Sequence, residues 1–312
     1  MLIHRLISAL NSRSPYFGNR GIIAGGYDYG LALLGYSQIS YITISIPSNS
    51  TTFGNLPIVR YGASGAGGTG RGLVIGGNIN GTTSASIDYI AIATLSNSTF
   101  FGNLTAARLY SSTVSDGYRA VTAGGQDSAG TAFSNIQYVN IGTLGNALSF
   151  GSLLSTRVNS GAASNGSRGV FAGGSVGGTT SSAMEYITIS TDGNGLSFGN
   201  LSVTRTAANG TSNKTRGIFA GGDTSFKTYT AAIDYITIST LGNATSFGSL
   251  IEARSTIAAK SNGFLAVFSG GLIGTSAGSS TTDYVNIQTL GNATSFGSLS
   301  PARGYAAALS GD

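Results

Sequence analysis

The sequence predicts an all-β fold: a six-bladed β-propeller with four antiparallel strands per blade and its ring closed by the C-terminal strand. Three observations carry this. A Gly-Gly doublet recurs at Gly25, Gly76, Gly124, Gly173, Gly221 and Gly270, at intervals of 51, 48, 49, 48 and 49 residues. Three spacings inside the repeat never vary. Twelve residues separate each of Tyr41, Tyr89, Tyr138, Tyr186, Tyr235 and Tyr284 from the Phe of a Phe-Gly pair, seven separate that Phe from an Arg, and sixteen separate each of the first five of these arginines from the next doublet. The remaining spacing, from Gly-Gly to Tyr, is elastic at 16, 13, 14, 13, 14 and 14 residues. Constant spacing marks packed strands, where one extra residue would turn every following side chain to the wrong face. Elastic spacing marks a loop free of the core. Four strands in a unit of this length, repeated around a ring, are the signature of a propeller blade; a β-solenoid is the other fold such periodicity allows.

Each strand has its own pattern. Strand a is small and apolar, as in RSTIAA from Arg254, which suits the crowded axis. Strand b is RGIFAGG from Arg216 and its equivalents. Strand c, DYITIS from Asp234, alternates apolar and hydroxylated residues as a half-buried strand does. Strand d runs from about Thr245 to Leu250. Gly-Asn in the c–d connection and Asn-Gly in the a–b connection are turn dipeptides. Aromatics of strands b, c and d, such as Phe219, Tyr235 and Phe247, fill the space between sheets.

The termini predict the closure. RGYAAALS from Arg303 is a strand a with no strand b after it, while the unit starting at Arg20 needs one. A competing strand a begins at Arg5, but Arg5 lies 15 residues before Arg20 where other repeats have 11. The C-terminal segment is therefore expected to close the ring and bury both edges. Residues 1–19 are then an N-terminal arm and residues 20–312 the propeller.

Composition narrows the function. With no cysteine, disulfides, thiolate zinc sites and cysteine nucleophiles are excluded. His4 is the single histidine, so a Ser-His-Asp site in the body of the chain and a multi-histidine metal site are also excluded. No apolar run approaches the ~20 residues of a membrane helix, and residues 1–10 lack the uninterrupted apolar run and cleavage site of a signal peptide. The net charge of +5 does not read as nucleic-acid binding. Eleven of the 13 arginines fall at two repeat positions: Arg60, Arg108, Arg157, Arg205, Arg254 and Arg303, and Arg20, Arg71, Arg119, Arg168 and Arg216. Charges set by a structural period spread around a ring, and they are expected to pair within or between blades with Asp88, Glu185, Asp234 and Asp283. The Gly-Gly doublets lack the Lys-Ser/Thr of a phosphate loop. Sequons at Asn49, Asn97, Asn243 and Asn292, among others, sit where Asn serves as a turn residue. No two acids are adjacent, and nothing points to a carboxylate pair for glycoside hydrolysis.

The order Gly-Gly, Tyr, aromatic, Arg resembles the kelch repeat across all six units, with Phe where kelch repeats usually carry Trp and with Ser40 where four other units carry an acid before Tyr. The copper chemistry of kelch-type oxidases needs Tyr, His and Cys and does not carry over. Near-identical repeats such as YITISTLGNATSFG from Tyr235 resemble the kelch-like proteins of bacteriophages of aquatic bacteria. That resemblance implies a virion protein, in a tail fibre, head fibre or decoration position, and not an enzyme. The expected partners are other virion proteins or a host cell-surface receptor, with no nucleic acid, membrane insertion, metal or cofactor, and with a homo-oligomer bridged by the arm as a further expectation. A lectin or glycan-active enzyme on the same scaffold is the alternative.

Recognition is expected on the elastic b–c loops, residues 27–38, 78–86, 126–135, 175–183, 223–232 and 272–281, which should emerge together on one face. Loop aromatics build contacts at low entropic cost. The candidate binding residues are Tyr27, Tyr29, Tyr36, Phe133, Phe226, Lys227 and Tyr229.

Overall fold

A computed structural model describes residues 17–28, 35–68, 70–225, 227–274 and 277–311. Six four-stranded antiparallel sheets form the blades of a ring. Blade two shows the pattern: strand a Ser64–Gly68, strand b Arg71–Ile75, strand c Ser86–Ala91 and strand d Thr99–Asn103. Blade one takes its strand a from the other end of the chain. Ala307–Gly311 pairs with Arg20–Ala24, in the register Arg20↔Gly311 to Ala24↔Ala307. The C-terminal closure predicted from the arginine spacing is present. The expected arm lies, for residues 1–16, outside the described residues; Phe17 lines one end of the axial cavity, and Asn19 bonds to Ser45 and Asn262.

Every sheet is buried on both faces, which explains why strand b is apolar at nearly every position. The gap between blades one and two is typical. Ile22, Ile39 and Phe53 of blade one meet Val74, Ile90 and Ile92 of blade two, with Tyr41 at the margin. In all six blades the strand c Tyr packs edge-on against the strand d Phe, with centroids 5.9–6.3 Å apart. Each c–d pair carries a register shift at the same place, between Ile87 and Asp88 in blade two. Phe101 is the residue passed over there, so the bulge aims its ring into the gap.

Strand a is shorter than predicted. In blade six it is Ala258–Ser261, so Arg254 lies ahead of it, in the d–a link. Between them Thr256 has φ 53°, and a left-handed residue cannot continue an extended ladder.

The rim holds a device that the turn reading of asparagine passes over. The c–d turn Asn of each blade accepts a hydrogen bond from the last strand d N–H of the preceding blade. Asn97, Asn146, Asn194, Asn243, Asn292 and Asn49 do this at 2.9–3.1 Å, with donors Asn55, Asn103, Ser152, Asn200, Ser249 and Ser298. The sequon asparagines Asn49, Asn97, Asn243 and Asn292 are thus inter-blade clasps. The Gly of each Phe-Gly pair makes room for them, because a Cβ on Gly54, Gly102, Gly151, Gly199, Gly248 or Gly297 would collide with the next turn's carbonyl.

Candidate functional site

The b–c excursions do emerge on one face. Each is rooted by an antiparallel bridge to the d–a link: Tyr27↔Gly304, Tyr61↔Asn78, Leu109↔Gln126, Val158↔Ser175, Thr206↔Asp223 and Ser255↔Leu272. They are more ordered than free loops. Among the described residues four are two-stranded ribbons, and their tips carry left-handed Asn80-Gly81, Gly177-Gly178, Lys227 and Gly274, the chemistry of tight hairpin turns. Neighbouring excursions touch, as where the Thr83 N–H donates to Ser128 Oγ at 3.1 Å and the Gly278 N–H to Asp28 Oδ1 at 2.9 Å.

Just inside this face lies a closed circle of backbone hydrogen bonds around the axis. The N–H groups of Tyr110, Asn159, Ala207, Thr256, Tyr305 and Gly62 donate to the carbonyls of Gly62, Tyr110, Asn159, Ala207, Thr256 and Tyr305, at 2.8–3.1 Å. All six residues are left-handed, with φ between 53° and 65°. For the five that are not glycine, this conformation costs of order 1 kcal/mol or more each, offset by the circle. The half-buried rings of Tyr110 and Tyr305 lie 5.2 Å apart beside a hollow of about 60 Å³, also lined by Asn159, Ser160 and Asn209. Residue type does not mark this mouth, since its six positions hold Gly, Tyr, Asn, Ala, Thr and Tyr; only their constant place, two residues after each first-set arginine, does.

The candidate residues divide. Lys227 is exposed at a ribbon tip, and Tyr229 is half-buried opposite Asp223. Tyr27 is buried against Tyr61, centroids 5.1 Å apart. Tyr36 and Phe133 lie over the guanidinium groups of Arg303 and Arg108, at 5.7 and 4.7 Å. Tyr29 and Phe226 lie outside the described residues.

The position of those two rings follows from the buried arginines. Nη2 of Arg60, Arg157, Arg205 and Arg254 meets the carboxylate of Asp88, Glu185, Asp234 and Asp283, with the last two arginines fully buried. The pairing expected from the sequence is present for these four arginines of the first set, and not with these acids for the second set. The second carboxylate oxygen of Glu185 and Asp283 accepts a backbone N–H from the preceding blade, while Asp234 accepts one on the same Oδ2 that meets Arg205. Burial raises Asp88 and Asp283 and lowers Arg60, Arg205 and Arg254, and mutual attraction offsets part of this. Blades three and one have Gln137 and Ser40 instead of an acid. There burial lowers Arg108 and Arg303 to about 10, and the aromatic ring takes over one face of the cation. In the four acid-bearing blades the ring's place is held by Ser84, Ser181, Thr230 and Ser279.

Blade three remains under-satisfied. Gln137 Oε1 accepts the Thr105 N–H at 2.8 Å, while Gln137 Nε2 and Arg108 Nη2 are buried without a partner among the described residues. Gln137→Glu would satisfy both, as Glu185 does in blade four. It is expected to stabilise the fold by about 1–3 kcal/mol, read as a rise in the thermal midpoint.

The second arginine set clips blades together. Arg71 stacks on Tyr89 at 5.0 Å and donates to the Ile141 carbonyl of the next blade at 3.2 Å. Arg20, Arg119, Arg168 and Arg216 repeat the arrangement. Among the described residues, no group of three His, Cys, Asp or Glu is placed to hold a metal ion, and no helix is long and apolar enough to cross a membrane. No protein-family model and no curated protein matches this chain, and what places it is the architecture itself, an all-β six-bladed propeller closed by its C-terminal strand.

Proposed function

We propose that the chain is a non-enzymatic, kelch-type structural and adhesion module of a bacteriophage virion, a fibre or decoration element that binds a host-surface glycan or protein or a neighbouring virion subunit through its b–c face. The kelch and phage parts of this reading rest on the resemblance of the repeats. The observation that carries the non-enzymatic part is that the described carboxylates are committed to the scaffold. Four pair with buried arginines. Asp116 and Asp127 cap turns, Asp192 meets Arg119, and Asp28, Asp223 and Glu252 hold loop hydrogen bonds. Groups fixed this way are poorly placed for acid–base work on a substrate.

A lectin reading is favoured by one observation, the axial mouth with two tyrosine rings beside amide and hydroxyl groups, the mixture that sugars are bound by. Arrayed glycans and isolated virion subunits, with product analysis, test both readings. We expect binding without turnover. Lys227→Ala with Tyr229→Ala should weaken it at least about tenfold with the thermal midpoint unchanged, as loss of contacts worth about 1.4 kcal/mol does. Loss through Tyr110→Ala with the loop variant unaffected would move recognition to the axis, and cleavage of any glycan would overturn the non-enzymatic reading.

A further inference from the structure

One gap in the ring differs from the other five. Between blades six and one the apolar core is divided into two small clusters, one around Ile42, Ile44, Val267 and Phe296, the other around Ile23, Ala258 and Leu299. Between them lies Lys260, 2% exposed. Strand pairing puts Ala66, Val114, Ala163, Thr211 and Leu309 at the corresponding place in the other blades. The lysine stem packs over Gly21 of blade one, where a Cβ would strike its Cδ. Among the described residues the same gap lacks an arginine clip, because Leu265 stands where the other blades have Arg20, Arg71, Arg119, Arg168 and Arg216.

Among the described residues the Lys260 amine has neutral partners only. Nζ donates to Ser269 Oγ at 2.6 Å and to the Ala258 carbonyl at 3.3 Å. The charged groups that act on it are Arg254, Arg303 and Asp283. Asp283 is already committed to Arg254, and Arg303 meets Ser40 instead of a carboxylate. The surroundings therefore carry one net positive charge before Lys260 adds its own. An ammonium without a carboxylate partner in such a place is strongly disfavoured, and the group loses its proton instead.

We propose that the seam between blades six and one is the acid-sensitive opening point of the ring, with Lys260 as its proton acceptor. Burial first, then Arg254 and Arg303, hold the amine well below the ordinary 10.5. The unfolded chain therefore binds one more proton than the folded ring between that depressed value and 10.5. Stability rises with pH through this window and is lost as pH falls, by up to about tenfold in the unfolding constant per pH unit. Below the depressed value the loss is complete, and the seam carries a buried charge beside two arginines.

The test measures thermal midpoints from pH 5 to 9 for the wild type, Lys260→Met and Lys260→Thr, the last matching Thr211 in blade five. Hydrogen exchange, corrected for its intrinsic pH dependence, compares strands bordering the seam with those between blades three and four. The wild-type midpoint should climb relative to both variants as pH rises. Seam strands should lose protection first on acidification, and only with Lys260 present. Parallel midpoint curves for all three proteins, or equal loss of protection at both gaps, would overturn the proposal. If Lys260→Met does not fold, the threonine variant decides on the same readouts.

Discussion

Arg205→Met is expected to cost about 3–5 kcal/mol, enough to remove much of the stability of an ordinary domain. Arg205 is fully buried, and its Nη2 lies 2.9 Å from Asp234, itself 1% exposed. Removing the cation leaves a carboxylate with no opposite charge in a place water does not reach. Its two bonds from Ser202 satisfy the oxygens without neutralising them. Asp234→Asn should be costly for the mirror reason, since it recreates at Arg205 the situation that Arg108 endures beside Gln137.

The double variant Arg205→Met, Asp234→Leu separates two meanings of that number. The pair itself is worth little if its attraction only repays desolvation, and a well-packed apolar pair of similar volume should then recover most of the loss. We expect the double variant to be more stable than either single one, in thermal and urea unfolding. A double variant as unstable as the sum of the singles would mean that the arginine acts through its bonds to the Ala232 and Phe219 carbonyls. These hold strands b and c together at their loop ends, a role methionine cannot take over.

What the sequence revealed, and what it hid, follow the same physical line. Constant spacing disclosed the strands, because a packed sheet cannot absorb an insertion. The closure was legible because the small apolar segment that follows Arg303 is a strand a with no strand b after it in sequence. The start of strand a was misjudged because Thr256 and its equivalents are left-handed through a circle of bonds made with other blades, and their residue types vary. The b–c excursions looked like loops because their lengths differ, although Asn80-Gly81 and Gly177-Gly178 announce hairpins. Of the candidate site residues, Lys227 and Tyr229 occupy the expected face. Tyr36 and Phe133 turn inward because the acids missing at Ser40 and Gln137 leave arginines to be covered, a coupling visible only once strand c and the loop root are side by side. The burial of Lys260 is not legible in the sequence, because one lysine among small residues gives no period.

The rim glycines lead to the second large effect. Gly151→Ala should destabilise by about 2–4 kcal/mol, while Gly145→Ala, six residues away, should fall within about 0.5 kcal/mol of the wild type. Both are glycines of the same repeat, and neither has a left-handed φ, so conformational freedom does not distinguish them. Surroundings do. A Cβ on Gly151 would run into the Gly193 carbonyl and the Asn194 nitrogen of blade four, both backbone atoms that no rotamer change can move. A Cβ on Gly145 would meet nothing within 4 Å. To admit the methyl group at Gly151 the blade-four turn must withdraw, and the bond from the Ser152 N–H to Asn194 Oδ1, 3.0 Å long, is lost with it. Asn194→Ala alone removes that bond without the collision and should cost only about 1 kcal/mol. The order Gly145, Asn194, Gly151 in rising cost, measured as thermal midpoints, would show that the Phe-Gly signature is fixed by the approach of a neighbouring blade. Equal losses at Gly145 and Gly151 would assign it instead to the backbone freedom of glycine.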